Sequence, residues 1–235
     1  MHEGFVSTRL GLKGYPAVAE DVMVARELLL AEETGARIHI QHLSSKRSLE
    51  LVRNAKKRGV KVTAEVTPHH LILTDEDVAG YQTATKVNPP LRTKEDREAL
   101  RQGLLDGTID LIATDHAPHT REEKNQEFGR APFGMTGLET ALGLILTEFY
   151  HTGLLTLDQI VDLLSLRPAR LLGIPGGTLA EGSPADLILV AVDREWEVRE
   201  EDFTSKSVNS PFIGWKLKGK TVATMVGGEW VYKEI

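Results

Sequence analysis

The sequence predicts an α/β protein: parallel βα units over residues 1–175, then a small all-β unit over residues 176–235. Three observations predict it. Helical stretches alternate with short apolar runs bounded by turn residues, the pattern of βαβ units rather than of a meander. After Pro175 the texture changes to short β-branched and aromatic runs punctuated by Gly176-Gly177, Gly182-Ser183-Pro184 and Gly227-Gly228. The balance of 41% hydrophobic and 26% charged residues over 235 positions suits a globular chain of one large domain with an appendage.

Each element has its own local reason. Residues 5–16 are interrupted by glycines and read as loop. Over residues 17–34, Val18, Val22, Ala25 and Leu29 fall at helical spacing and Gly35 stops the helix. Residues 37–41 are short and bounded like a strand. Residues 48–57 form a helix with Leu49, Val52 and Ala55 inward, ended by Gly59, and residues 60–67 form the next strand. An extended stretch at 85–90, a helix at 94–105 and a strand at 110–114 follow. Apolar helices are expected at 137–150 and 157–164, the second stopped by Arg167-Pro168. Short strands are expected at 187–190, 196–198, 221–226 and 229–232.

Composition excludes several classes. Thirty-four acidic against 28 basic residues leave a charge of −6 with no basic block, which argues against nucleic-acid binding. No apolar run approaches the roughly 18–20 residues that span a bilayer, and the polar start has no secretory signal core. Zero cysteines exclude disulfides, thiolate metal sites and cysteine nucleophiles. The expected compartment is the cytoplasm, and any metal must be held by His, Asp or Glu.

Chemistry is concentrated where the three expected parallel strands end. They run into Gln41-His42, Pro68-His69-His70 and Asp115-His116-Ala117-Pro118-His119. In parallel βα units the C-terminal strand ends open on one face, the face on which barrel enzymes place their catalytic groups. Up to five imidazoles and one carboxylate gather there, ligand types suited to zinc-like ions, and an acid beside a metal can move a proton. Each residue has a plainer alternative. His42 alone reads as a hydrogen-bonded loop residue and Asp115 alone as an Asx-turn or helix cap. His69 and His70 divide between packing and capping. Strand alternation turns His39 away from Ile38 and Ile40, toward a structural or helix-facing role.

A resemblance adds to this. Ala113-Thr114-Asp115-His116-Ala117-Pro118-His119, with Lys124 five positions on, resembles the signature of the dihydroorotases, cyclic amidohydrolases of the amidohydrolase superfamily. Leu10-Gly11-Leu12-Lys13-Gly14-Tyr15-Pro16, Ala19-Glu20-Asp21, His39-Ile40-Gln41-His42-Leu43-Ser44, Glu65-Val66-Thr67-Pro68-His69-His70, Lys86-Val87-Asn88-Pro89-Pro90-Leu91-Arg92 and Pro132-Phe133-Gly134 resemble the long bacterial (class I) branch in the same order. The segments from Gly182 and from Gly227 resemble the superfamily's small β-unit.

The resemblance implies the C-terminal part of a metal-dependent-hydrolase (β/α)8 barrel, about strands six to eight, plus that β-unit. It implies reversible hydrolysis of L-dihydroorotate to N-carbamoyl-L-aspartate in de novo pyrimidine synthesis, at a two-zinc site. His42 matches a zinc ligand. Asp115 matches a zinc ligand that is also the catalytic general base. Asn88, His119, Phe133 and Gly134 match substrate contacts. The His-x-His pair, the bridging acidic residue and the substrate-binding arginine of the family have no counterpart here, so the chain reads as N-terminally truncated. It is expected to hold zinc poorly and to be inactive alone. With only three barrel strands, it is expected to expose sheet edges and an inner apolar face and to self-associate. The rival readings are a hydantoinase or allantoinase, and a non-catalytic partner of aspartate transcarbamoylase.

Overall fold

The computed structural model describes residues 1–234. Its first compact unit comprises Met1–Gly137 with the returning segment Phe203–Pro211; its second comprises Leu138–Asp202 and the chain from Phe212 onward. The boundary expected near residue 175 marks a change of texture, from helices to strands, within the second of these units.

The first unit opens with a departure from expectation. Residues 5–10 are not loop but a short helix, α1 (Phe5–Leu10). Gly4 and Gly11 flank this helix: the Ser7 hydroxyl accepts from the Gly4 N–H at 2.9 Å, and Gly11, in the left-handed region, closes the last turn. Next come α2 (Ala17–Thr34), β1 (Ile38–Ile40), α3 (Lys46–Lys57), β2 (Val62–Val66), α4 (Pro68–Ile72), α5 (Lys94–Leu105), β3 (Leu111–Ile112) and α6 (Arg121–Lys124). Side-chain oxygens cap the helices that follow strands. Ser45 accepts from the N–H groups of Arg47 and Ser48 at the start of α3, and Thr93 with Asp96 forms a reciprocal box at the start of α5.

β1, β2 and β3 form one parallel sheet in that order, with Ile38 opposite Val62 and Val66 opposite Ile112. Val62, Ala64 and Val66 are buried on the side where α3 packs. By strand alternation the other face carries His39, Thr63 and Glu65. His39 joins them, Nδ1 lying 2.8 Å from the Thr63 hydroxyl and Nε2 2.9 Å from the Glu65 carboxylate. His39 is structural, as expected, but it does not face the helices. The face predicted to be apolar carries this polar cluster. Both outer edges of the sheet, on β1 and β3, are free of strand partners among the described residues.

The second unit contains α7 (Leu138–Ile145), α8 (Leu157–Val161), α9 (Arg167–Leu172) and an antiparallel sheet of β4 (Leu187–Glu197), β5 (Lys216–Val226) and β6 (Glu229–Lys233). Two expectations are corrected here. Arg167-Pro168 does not stop a helix: a π-turn over Asp162–Leu166 runs directly into α9, and Pro168 follows that widened turn, where the ordinary i→i−4 ladder is already broken. The strands expected at 187–190 and 196–198 are one strand, β4, whose register shifts around residues 189–195 absorb the intervening residues.

Candidate active site at the strand tips

His42 and Asp115 leave the same end of the parallel sheet. β1 and β3 flank β2, so their axes lie about 9–10 Å apart, two strand spacings. Both residues adopt positive φ, 37° for His42 and 48° for Asp115. Non-glycine residues rarely enter this region, and it marks backbone held in place by its surroundings. The His42 Nδ1 is buried with no hydrogen-bond partner, whereas Asp115 is exposed.

A buried polar network holds the β1 tip. Glu20 accepts from the backbone N–H groups of Ser44 and Ser45, both at 3.0 Å, and also from the Ser44 hydroxyl. Arg92, 3% exposed, donates from Nε to the Ser44 hydroxyl at 3.0 Å and from Nη1 to the Tyr15 carbonyl at 2.8 Å. Asp21 accepts from the Ser45 and Ser48 hydroxyls at 2.7 and 2.9 Å. Together these fix the residues immediately after His42.

Below the β2 tip, His69 and His70 are buried in α4. Thr67 caps α4, and its hydroxyl lies 2.8 Å from Nδ1 of His70, whose Nε2 donates to the Pro89 carbonyl at 3.0 Å. Burial pushes the His70 imidazole down to about 3 and His69 well below its ordinary value. His70 is thus a neutral tie to the segment that carries Asn88.

Beyond β3, the backbone is clamped by Asn209, which sequence reasoning passed over, and by the motif lysines Lys86 and Lys124. Asn209 accepts the His119 N–H at 3.1 Å and donates to the carbonyls of Ala117 and Gly134, both at 3.2 Å. Lys86 donates to the Gly129 and Ala131 carbonyls at 3.0 and 2.6 Å. Lys124 donates to those of Thr83 and Pro132, both at 2.9 Å. Burial, then repulsion from Lys86, lowers Lys124 to about 8. The only advance sign of Asn209 was its place in the turn-forming run Asn209-Ser210-Pro211. The lysines gave no sign that they bind carbonyls.

The remaining expected residues fall in two places. Asn88 and Phe133 line one cavity of about 320 Å³. His119 donates from Nε2 to the Phe133 carbonyl at 2.8 Å, with Nδ1 3.4 Å from the Glu123 carboxylate. Gly134 has φ +131°, and a Cβ there would lie 2.7 Å from the Ala117 Cβ and 3.0 Å from His119 Nε2, so only glycine lets these segments approach.

Among the described residues, no three His, Asp or Glu side chains converge to hold a metal ion. A catalytic zinc normally keeps three protein ligands, so a whole zinc site does not fit the side chains of this chain by themselves. The unpartnered Nδ1 of His42 fits a single ligand position.

Comparison with known proteins identifies the family and the fold. The amidohydrolase family profile matches residues 1–231. The dihydroorotase of Pelotomaculum thermopropionicum is 59% identical over all of this chain and 55% of its own length; that of Halalkalibacterium halodurans is 53% identical over the same shares. The solved L-hydantoinase of Arthrobacter aurescens superposes on 93% of this chain and 50% of its own, with a TM-score of 0.88 and 34% identity. The chain therefore spans about half the length of the relatives it matches, and its parallel sheet corresponds to part of a (β/α) barrel. It belongs to the amidohydrolase family.

Proposed function

We propose that this chain carries part of the catalytic face of a dihydroorotase, which interconverts L-dihydroorotate and N-carbamoyl-L-aspartate in the cytoplasm. One observation carries the reading: His42 and Asp115 leave one end of a parallel sheet in strained backbone, and His42 Nδ1 is buried without a protein partner. Such a nitrogen is costly unless something else binds it. The 59% identity to a dihydroorotase, against 34% to a hydantoinase, supports this substrate over the hydantoin ring.

Asp115 takes a proton from the attacking water and returns it to the leaving amide nitrogen. Asn88, His119 and the backbone at Phe133 and Gly134 hold the ring. The family is generally metal-dependent. The metal in this reading is zinc, with His42 and Asp115 as the ligands this chain offers. Because these fall short of a full set, the reading assigns no turnover to the chain by itself. It also includes self-association, since α2 leaves Val18, Val22, Met23, Leu29 and Leu30 exposed.

Reconstitution tests it. Ring opening of dihydroorotate is measured with the chain alone and with the chain mixed with the N-terminal half of the P. thermopropionicum relative, zinc present. The chain alone is expected to show little or no turnover. The mixture is expected to turn over, and Asp115→Asn to slow it by about 10²–10⁴-fold. Solo turnover at the rate of a full-length relative, or reconstituted activity indifferent to Asp115→Asn, would refute the proposal.

A further inference from the structure

The segment Phe203–Pro211 returns to the first unit, and its polar side chains at alternate positions all reach the residues that follow Asp115. Ser205 Oγ lies 3.5 Å from His116 Nε2. The Ser207 hydroxyl lies against the His119 carbonyl and, at 2.6 Å, the Asn209 Oδ1. Asn209, 8% exposed, joins two stretches of backbone. Its side chain accepts the His119 N–H at 3.1 Å and donates to the Ala117 and Gly134 carbonyls, both at 3.2 Å. Its own carbonyl accepts the Thr136 N–H at 3.1 Å.

The two stretches meet at the His116–Met135 bridge, where the Ala117 N–H donates to the Met135 carbonyl at 2.9 Å. One step further out, the Ala117 and Gly134 carbonyls both point at one amide. Two such dipoles repel unless a donor stands between them. The Asn209 NH₂ is that donor, with one hydrogen for each. The amide fits only one way round: turned over, its oxygen would face two carbonyls and its NH₂ would face the His119 N–H. Buried as they are, these bonds cannot be exchanged for water without cost. What the amide spaces is His119 against Phe133, for the His119 Nε2 donates to the Phe133 carbonyl at 2.8 Å. That contact requires residues 119 and 134 at a set separation, and both are bonded to the same side chain.

We propose that Asn209 is a positioning residue, which fixes the spacing of His119 from the Phe133–Gly134 backbone and so keeps the His119 Nε2 hydrogen on the Phe133 carbonyl. Its effect passes through His119 and Phe133, not through contact with the ring. For what that pair holds, the inference rests on the dihydroorotase reading; the positioning itself does not.

The positioning is tested on the full chain by nitrogen-resolved NMR of the histidine rings. His151 serves as internal reference, because its Nε2 lies 2.8 Å from the Val192 carbonyl in the second unit. Asn209→Ala is expected to move the His119 Nε2 signal toward that of a free imidazole and to leave His151 in place. A residue that only supports the fold would lower the melting temperature with the His119 signal unmoved. That result would overturn the inference, as would His119 and His151 moving together. Should Asn209→Ala not fold, Ser207→Ala, which removes only the hydroxyl bracing the amide, reads the same signal: a shift at His119 alone supports the proposal, and none overturns it.

Reconstitution with the N-terminal half of the P. thermopropionicum relative then separates the roles. Asn209→Ala is expected to raise KM for dihydroorotate, and to weaken inhibition by its non-reacting analogue orotate, by about 3–10-fold, the scale of one hydrogen bond. Its kcat should stay near the parent's, because holding the ring is lost and proton transfer is not. A fall in kcat at unchanged KM, or a KM indifferent to the substitution, sinks the positioning role and leaves the dihydroorotase reading standing. A His119 shift without any reconstituted turnover keeps the positioning and sinks that reading.

Discussion

The tips of β1 and β3 are held in place by opposite means. At β1, carboxylates, hydroxyls and a guanidinium gather: Glu20 and Asp21 accept, while Arg92 and the serines donate, with Arg92 Nη2 left 3.6 Å from Glu20 and without a hydrogen bond. At β3, the backbone carbonyls are gathered by an amide and two ammonium groups, with no acid buried among them. In this contrast Glu20, Ser44 and Arg92 at one tip, and Lys86 and Lys124 at the other, are frame. Beside the frames stand one buried imidazole nitrogen without a partner, His42 Nδ1 at β1, and one exposed carboxylate, Asp115 at β3.

If the β1 frame is a closed network of charge, removing one member should cost most. Arg92→Met leaves Glu20, its side chain 11% exposed, without the guanidinium that stood 3.6 Å away. The expected loss is about 3–5 kcal/mol, as for other buried pairs broken from one side, read from urea unfolding. Adding Glu20→Gln to Arg92→Met should return part of that loss, because the orphaned charge is then gone. A single-variant loss below about 1 kcal/mol, the range of exposed pairs, would place the Arg92 contacts among ordinary surface interactions and dissolve the contrast.

The β3 frame depends on close approach instead. Gly134→Ala would force a Cβ against Ala117 and His119 at a φ of +131°. The expected cost is about 1–3 kcal/mol, less than at Arg92, accompanied by movement of the Phe133 segment and a weaker hold on orotate. Thermal unfolding at the parent temperature, or unchanged orotate affinity, would show that this loop yields without consequence.

How much of this was legible in the sequence follows the same division. The helix at 17–34 was placed to the residue, because Gly35 is a local signal, and the helix expected at about 94–105 has those bounds in the structure. The three parallel strands were placed because buried β-branched runs cannot be mistaken where turns bound them. The helix at 5–10 was missed because Gly4 and Gly11 read as interruptions when they are its two ends. His42 and Asp115 were legible as strand-end residues, but their positive φ is set by tertiary contacts that no periodicity encodes. Asn209 lay furthest out of reach. It acts across about 90 residues of sequence on His119 and Ala117, and nothing near it in the chain announces that partner.

The subtlest consequence of the contrast is in pH. Lys124, buried among carbonyls beside Lys86, titrates at about 8 in place of the ordinary 10.5. Between those values the unfolded chain holds this proton and the folded chain has released it. Unfolding then takes up a proton, so stability rises with pH across the window. Below about pH 8 the folded protein bears the full cost of a buried ammonium. Lys124→Met removes the titrating group, so parent minus variant stability, from urea titrations at pH 7.5 and 10, should move in favour of the parent. A level difference for Lys124→Met would mean that its four-carbon stem lets the ammonium reach water, and that the β3 tip is held by carbonyl geometry alone.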